Sequence, residues 1–152
     1  MFRIVMSTFA LSVAALLCAG CGGGSSSGQS VSKAQFIKQG DQICTKADQA
    51  QLAGLKELQQ EQHVEALEDR NYEEKVITQV GLPPLRAEHE ELSQLTLPTD
   101  GEKQAQEVIE DLGAAIEKAE AEPHLLLEPG KNPFEPVESL AVSFGFKSCG
   151  KA

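Results

Sequence analysis

The sequence predicts an all-α fold, a disulfide-stapled bundle of four to five helices behind a flexible tether. Apolar residues recur in steps of three and four through most of the chain after residue 31, which is the period of amphipathic helices. Ser32 and Asn132 stand where helices would begin, each with Gln or Glu three residues later. No stretch alternates between apolar and polar residues as a half-buried strand would.

The first twenty residues have the layout of a signal peptide. Arg3 precedes an uncharged, mostly apolar run over 4–17, and small residues follow at Ala19 and Gly20. As a helix, this run would reach about 21 Å, which is short of a bilayer core of about 30 Å. We therefore expect a signal peptide over 1–20, and not a transmembrane anchor.

The stretch CAGC at 18–21 resembles the lipobox of bacterial lipoproteins. Ala19 and Gly20 fit its two small positions and Cys21 fits the cysteine that receives the lipid, while Cys18 replaces the usual leucine. The resemblance implies export, cleavage before Cys21 and a diacylglycerol on its thiol. Two acyl chains, at ~0.8 kcal/mol per buried CH₂, suffice to hold a protein on the outer face of the cell membrane.

The chain has four cysteines. If Cys18 leaves with the signal peptide and Cys21 carries lipid, Cys44 and Cys149 remain, and two thiols in an oxidising compartment can form one disulfide. This bond would tie the C-terminal tail to the first helix. The alternative is ordinary cleavage after Gly20, which leaves Cys21 free and an odd number of cysteines.

Residues 21–31 are expected to form a tether, because Gly and Ser dominate them and have little side chain to bury. The helical domain then covers 32–152. Ser32 and Gln35 form a capping box at the start of its first helix. The apolar positions of that helix are Phe36, Ile37, Ile43, Cys44, Ala47, Leu52, Leu55 and Leu58. The polar stretch over 60–70 is either its continuation or its frayed end.

Further along, the pattern predicts a helix over 71–80, a break or sharp kink at the adjacent Pro83 and Pro84, and another helix over 85–95. The next helix has Thr99 as its expected N-cap and ends at Pro123. Its apolar stripe contains Ala105, Val108, Ile109, Leu112, Ala115, Ile116 and Ala119.

The last helix should begin at Asn132, with a proline at its first position, and end at Gly145. Three of the four phenylalanines after the tether lie near this end of the chain, and the predicted disulfide would bring the fourth, in the first helix, close to them. We expect Phe36, Phe134, Phe144 and Phe146 to form an aromatic cluster with the disulfide at its edge.

The formal net charge of −10 bears on the possible partners. Nucleic-acid binding needs an excess of basic residues, so we expect none. An anionic membrane surface would repel the body, so contact with the membrane should be through the lipid anchor alone.

No catalytic residue, metal site or cofactor motif can be assigned. The stretch EHEEL at 88–92 is followed by Ser93 where a zinc-protease motif needs histidine, so His89 is interpreted as a solvated residue and Arg86 as a partner of Glu90. Asp41 lies three residues before Cys44, where a carboxylate would disfavour a thiolate. The acidic stretch 61–69 lacks the pattern of a calcium loop and is interpreted as a wet helix face, with low-affinity binding of a divalent cation as the alternative.

Three stretches of the body, KAQFIKQGDQIC at 33–44, LPPLRAE at 82–88 and FGFKSCG at 144–150, resemble small exported helical proteins of high-GC Gram-positive bacteria. Those proteins have one cysteine in the first helix and one at the end. The resemblance covers most of the body and supports the fold and the disulfide, but it implies no activity.

We therefore expect a membrane-anchored cell-envelope lipoprotein whose body is a non-enzymatic helical interaction module, with an envelope protein as its partner. The alternative is an extracytoplasmic binding protein for a cation or a small apolar ligand, because a bundle can hold a ligand between its helices. An enzyme ranks third, because no motif supplies catalytic groups.

Overall fold

The computed structural model describes residues 30–62 and 70–149. Five α-helices are present in these residues: α1 (Lys33–Gln62), α2 (Arg70–Lys75), α3 (Leu82–Ser93), α4 (Glu102–Ala121) and α5 (Glu135–Phe144). A π-helical segment, Val76–Gly81, joins α2 to α3, and a 3-10 segment, Pro123–Leu127, follows α4. The prediction of an all-α, disulfide-bonded fold is confirmed.

The expected signal peptide, Cys21 and most of the tether lie outside the described residues, as does most of the acidic stretch, 63–69. Val31, the last residue of the expected tether, is hydrogen-bonded to the body, because the N–H of Thr99 donates to its carbonyl at 3.1 Å. Within 30–62 and 70–149, no helix combines the length and the apolar content needed to cross a bilayer.

Helix α1 begins at the predicted capping box. The N–H of Gln35 donates to Oγ of Ser32 at 3.3 Å, and the N–H of Ser32 donates to Oε1 of Gln35 at 3.2 Å. The first N–H groups of a helix have no partner within the helix. Here the side chain of each residue accepts a hydrogen bond from the backbone N–H of the other.

The expected break at the two prolines takes a different form. The chain stays helical from residue 70 to 93, and the π-helical segment lies directly before Pro83 and Pro84. A proline lacks an N–H and crowds the preceding turn, and the wider π turn accommodates both effects without ending the helix. The amide Nε2 of Gln51 in α1 donates to the carbonyl of Gly81 at 3.1 Å, so a carbonyl beside the prolines is satisfied from outside.

The ends of the later helices follow the sequence in part. Helix α4 begins at Glu102 after Gly101, whose φ of 82° is left-handed, so Thr99 lies outside the helix and is not its cap. The predicted start of the last helix at Asn132 is wrong, because α5 begins at Glu135 with Phe134 as its N-cap, and Oδ1 of Asn132 accepts from the N–H of Phe134 at 3.0 Å in the turn before the helix. Gly145, with φ of 117°, ends α5 as predicted.

The core has two main clusters, and the disulfide lies between them. The first contains Cys44 with apolar residues of α3, α4 and the start of α5. The second joins Phe36 to residues of α4, α5 and the C-terminal segment. The Cys44–Cys149 bond has a Cα–Cα distance of 5.1 Å, and Cys149 packs against both clusters.

Three of the four phenylalanines form the expected aromatic cluster. The ring centroid of Phe36 lies 6.0 Å from that of Phe144 and 5.9 Å from that of Phe146, and the centroids of Phe144 and Phe146 lie 5.4 Å apart. Phe134 belongs instead to the first core cluster. Phe134 lies just before α5, and Phe144 is the last residue of that helix. Because ten residues of helix span about 15 Å, Phe134 and Phe144 lie at opposite ends of α5.

Candidate functional site

A cavity of about 280 Å³ lies among α1, the π-helical segment, α3 and the beginning of α5. Most of its wall is apolar, and the polar groups are few. The apolar lining consists of Val76, Ile77, Leu82, Leu85, Leu112, Leu126 and Phe134. The polar lining consists of Asp48, Gln51, Glu88, Asn132, Glu138 and Ser148, together with the Cys44–Cys149 disulfide.

One wall of the cavity is built by the π-helical segment, which contributes Val76, Ile77 and Gly81. A π turn inserts an extra residue into the helical repeat and so changes which side chains face a neighbouring helix. The segment just before the predicted break therefore forms part of the site.

Glu88 is the buried charged residue of the described core, with 7% of its surface exposed. Its Oε1 lies 3.2 Å from Sγ of Cys44. A disulfide sulfur has no proton to donate, so this contact favours the protonated carboxyl, whose O–H can donate to sulfur. Burial, followed by the charge of Asp48, raises the pKa of Glu88 to about 7.

Glu88 was not identified as a site residue from the sequence. A signal was nevertheless present, because Leu85, Glu88 and Leu92 follow one another in steps of three and four. A carboxyl therefore occupies a position on the apolar stripe of α3. The adjacent histidine is the more conspicuous residue of the same stretch, because it resembles part of a metal motif.

Two further carboxyls line the cavity, Asp48 from α1 and Glu138 from α5. Burial, and then the charge of Glu135, raises the pKa of Glu138. In the part of the lining that the structure describes there is no Lys, Arg or His side chain. The cavity thus combines an apolar wall with acidic groups from three helices.

Two basic side chains, one on α3 and one on α1, form ion pairs at the surface. Arg86 forms an ion pair with Glu120 of α4, and not with Glu90 as expected, so it links two helices at the surface. Lys46 of α1 forms an exposed ion pair with Glu91 of α3. Both cations lie away from the cavity lining.

The sulfur atoms of Cys44 and Cys149 and a carboxylate oxygen of Glu88 lie within 4.8 Å of one another. Two thiolates and a carboxylate are a plausible ligand set for zinc. In the disulfide, however, each sulfur is bonded to the other and neither is a thiolate. The oxidised protein therefore presents a single metal ligand at this point, the carboxylate of Glu88.

The predicted proximity of Asp41 to the disulfide has a structural role. Its Oδ1 accepts from the backbone N–H groups of Lys147 and Ser148, each at 2.8 Å. Asp41 therefore holds the C-terminal segment against α1, immediately before Cys149. A carboxylate that accepts two backbone N–H groups is well satisfied.

His89 is half-buried and not solvated, because its ring packs on Gly113 of α4. A Cβ at residue 113 would lie 2.8 Å from Nε2 of His89. The glycine thus allows α3 and α4 to approach closely. This packing is the contact that the structure shows for the histidine of EHEEL.

A larger depression, of about 780 Å³, runs along α1 beside Gly145 and Lys147. Most of its lining is exposed and polar, so it is a surface groove. The smaller, mostly apolar cavity around Glu88 is therefore the candidate functional site. Comparisons of this chain with protein-family models, with curated proteins and with solved structures found no match.

Proposed function

We propose that the helical body binds a small, largely apolar ligand in the cavity around Glu88. This is the second of the two functions that the sequence suggests. The observation that supports it is the composition of the cavity, because its wall is mostly apolar and the buried carboxyl of Glu88 lines it. An apolar cavity with a few convergent polar groups and a perturbed carboxyl is the usual form of a small-molecule site.

The volume of the cavity limits the size of the ligand. An engineered apolar cavity of about 150 Å³ is large enough to hold benzene, and this cavity measures about 280 Å³. A single ring with a short substituent, or an aliphatic chain of similar bulk, would fit.

We propose binding and not catalysis at this site. In the described lining, the cysteines are joined in a disulfide and no histidine or lysine accompanies Glu88. A serine or cysteine nucleophile is commonly activated by an adjacent histidine, and the described lining contains no such pair.

The test is calorimetric titration of the full-length, disulfide-bonded protein with benzyl alcohol, a neutral apolar probe. We expect saturable binding by the wild-type protein. Leu85→Phe, which places a larger side chain in the cavity wall, should weaken it, whereas Leu97→Phe, at a half-buried position of the other core cluster, should not. If the two variants bind benzyl alcohol equally well, or if the wild-type protein binds no single-ring probe of this size, neutral or charged, the proposal is wrong.

We also propose that the chain is exported and anchored by lipid on Cys21, with the tether holding the cavity away from the membrane. The support is the signal-peptide layout of 1–20 and the CAGC stretch. Membrane fractionation should separate Cys21→Ala, which becomes soluble, from Cys18→Ala, which stays with the membrane. If Cys21→Ala also stays with the membrane, the anchoring proposal fails.

The interaction with an envelope protein stays a prediction. The large hydrophobic residues that are exposed in the described chain, Leu52, Leu127 and Val142, lie on three different elements. Single exposed apolar residues are normal on soluble surfaces. The cavity therefore favours the small-ligand function over the interaction module.

A further inference from the structure

The cavity wall indicates the charge of the ligand as well as its apolar character, an inference that rests on the proposed function. We propose that the cavity binds an organic ammonium ion, with the ammonium group at Glu88 and the apolar body against the leucine-rich wall. Such a ligand combines the two classes, a cation and a small apolar molecule, that the sequence left open as alternatives.

The first step of the argument is the sign of the charge. Asp48, Glu88 and Glu138 reach the cavity from α1, α3 and α5, and the described lining contains no basic side chain. The chain as a whole has a formal net charge of −10. Both the local and the overall potential therefore attract cations and repel anions.

The second step is the state of Glu88. It is 7% exposed, and the partner that the structure shows for its carboxyl is a disulfide sulfur at 3.2 Å. A buried carboxylate needs hydrogen-bond donors or an opposite charge, and the sulfur supplies neither. A primary ammonium group supplies a positive charge and three N–H donors.

The third step separates an organic cation from a metal ion. Within the described chain, the carboxylates of Asp48, Glu88 and Glu138 do not all come within 4.8 Å of one another, so they do not form a compact set of metal ligands. Hard cations such as Ca²⁺ take six to eight oxygen ligands, and most of this wall is apolar. An ammonium ion with an attached apolar body suits both parts of the wall.

The proposal has a consequence for pH dependence. The titratable groups that line the cavity around Glu88 are Asp48 of α1 and Glu138 of α5, while the π-helical segment, α4 and the 3-10 segment contribute apolar residues there. An ammonium ion binds the ionised form of Glu88. Because burial raises the pKa of this carboxyl, the carboxyl must lose its proton when the ammonium ion binds. Affinity for the cation should therefore rise by about tenfold between pH 6 and pH 8.

The experiment uses three probes of matched shape, benzylamine, benzyl alcohol and benzoate, in calorimetric titrations of the full-length, disulfide-bonded protein. At pH 8 we expect benzylamine to bind about tenfold or more tightly than benzyl alcohol, and benzoate to bind most weakly. At pH 6 the advantage of benzylamine should shrink, while the affinity for benzyl alcohol should not change.

Glu88→Gln removes the charge and keeps the shape. It should lower the affinity for benzylamine to that for benzyl alcohol and leave the alcohol unaffected. The matched control is Glu90→Gln, an exposed position on the same helix, which should retain the preference for the amine.

The outcomes separate the two proposals. If benzyl alcohol binds as tightly as benzylamine at pH 8, or if Glu88→Gln keeps the preference, the ammonium proposal is overturned while the small-ligand function stands. If none of the probes binds, both fail. The pH dependence of binding to the wild-type protein is a second test, and it does not depend on the folding of any variant.

Discussion

At the scale of the residue, Glu88 occupies a position where an apolar side chain would cost less stability, and the proposed binding role would account for a carboxyl there. An apolar side chain there would complete the stripe formed by Leu85 and Leu92, and it would avoid the cost of burying a carboxyl. The structure instead places the carboxyl against a disulfide and near a second acid, Asp48. Residues of this kind are concentrated at functional sites.

The buried carboxyl predicts an unusual dependence of stability on pH. The pKa of Glu88 rises from 4.5 to about 7 on folding, so between these values the folded protein retains a proton that the unfolded chain has lost. The free energy of unfolding should therefore fall as pH rises through this window, by about 3 kcal/mol in all, and level off above it.

Urea unfolding at pH 5, 6, 7 and 8 measures this fall. Glu88→Gln carries no titrating group at this position, so its stability should decline much less over the same range. Glu138, whose pKa is also raised, remains in both proteins and cancels in the comparison. Parallel pH profiles for the two proteins would contradict the assignment to Glu88.

At the scale of the element, local features were predictable and those that depend on neighbouring helices were not. The Ser32 and Gln35 cap and the Gly145 terminus each depend on a few adjacent residues, and both are present. The π-helical segment packs against α1, where Gln51 donates to the carbonyl of Gly81. The cavity follows from that arrangement, so the sequence predicted the bundle but not the site inside it.

Glycines inside helices show the same dependence on neighbours. From the sequence, Gly40 only weakens α1, by up to about 1 kcal/mol relative to alanine. In the structure, a Cβ at residue 40 would lie 2.4 Å from Cε1 of Phe146, whose ring belongs to the aromatic cluster. The absence of a side chain at this position is what lets the C-terminal segment pack against α1.

We therefore expect Gly40→Ala to destabilise the protein despite the better helix propensity of alanine. Moving a packed ring typically costs about 1–3 kcal/mol, which exceeds the gain of about 1 kcal/mol from the backbone. Ala53→Gly, at an exposed position of the same helix, measures the propensity effect alone. Urea unfolding of both variants tests this, and a Gly40→Ala protein more stable than the wild type would contradict it.

At the scale of the whole molecule, two links close the chain on itself. The Cys44–Cys149 disulfide joins positions 105 residues apart, which include most of the helical body. Beside it, Asp41 accepts two backbone N–H groups from the same C-terminal segment. The disulfide also forms part of the cavity wall, so the bond that restricts the unfolded chain also shapes the site.

Removal of this bond should therefore affect both stability and binding. Closing a loop of about 100 residues is worth about 4–5 kcal/mol in the chain-entropy model, so the double variant Cys44→Ala, Cys149→Ala should lose roughly that much free energy of unfolding. Its cavity should also bind benzyl alcohol more weakly, because part of the wall is no longer fixed.

Hydrogen exchange at Lys147 and Ser148 separates the two links. If their N–H groups keep full protection in the double variant, Asp41 alone holds the segment in place and the wall does not depend on the disulfide.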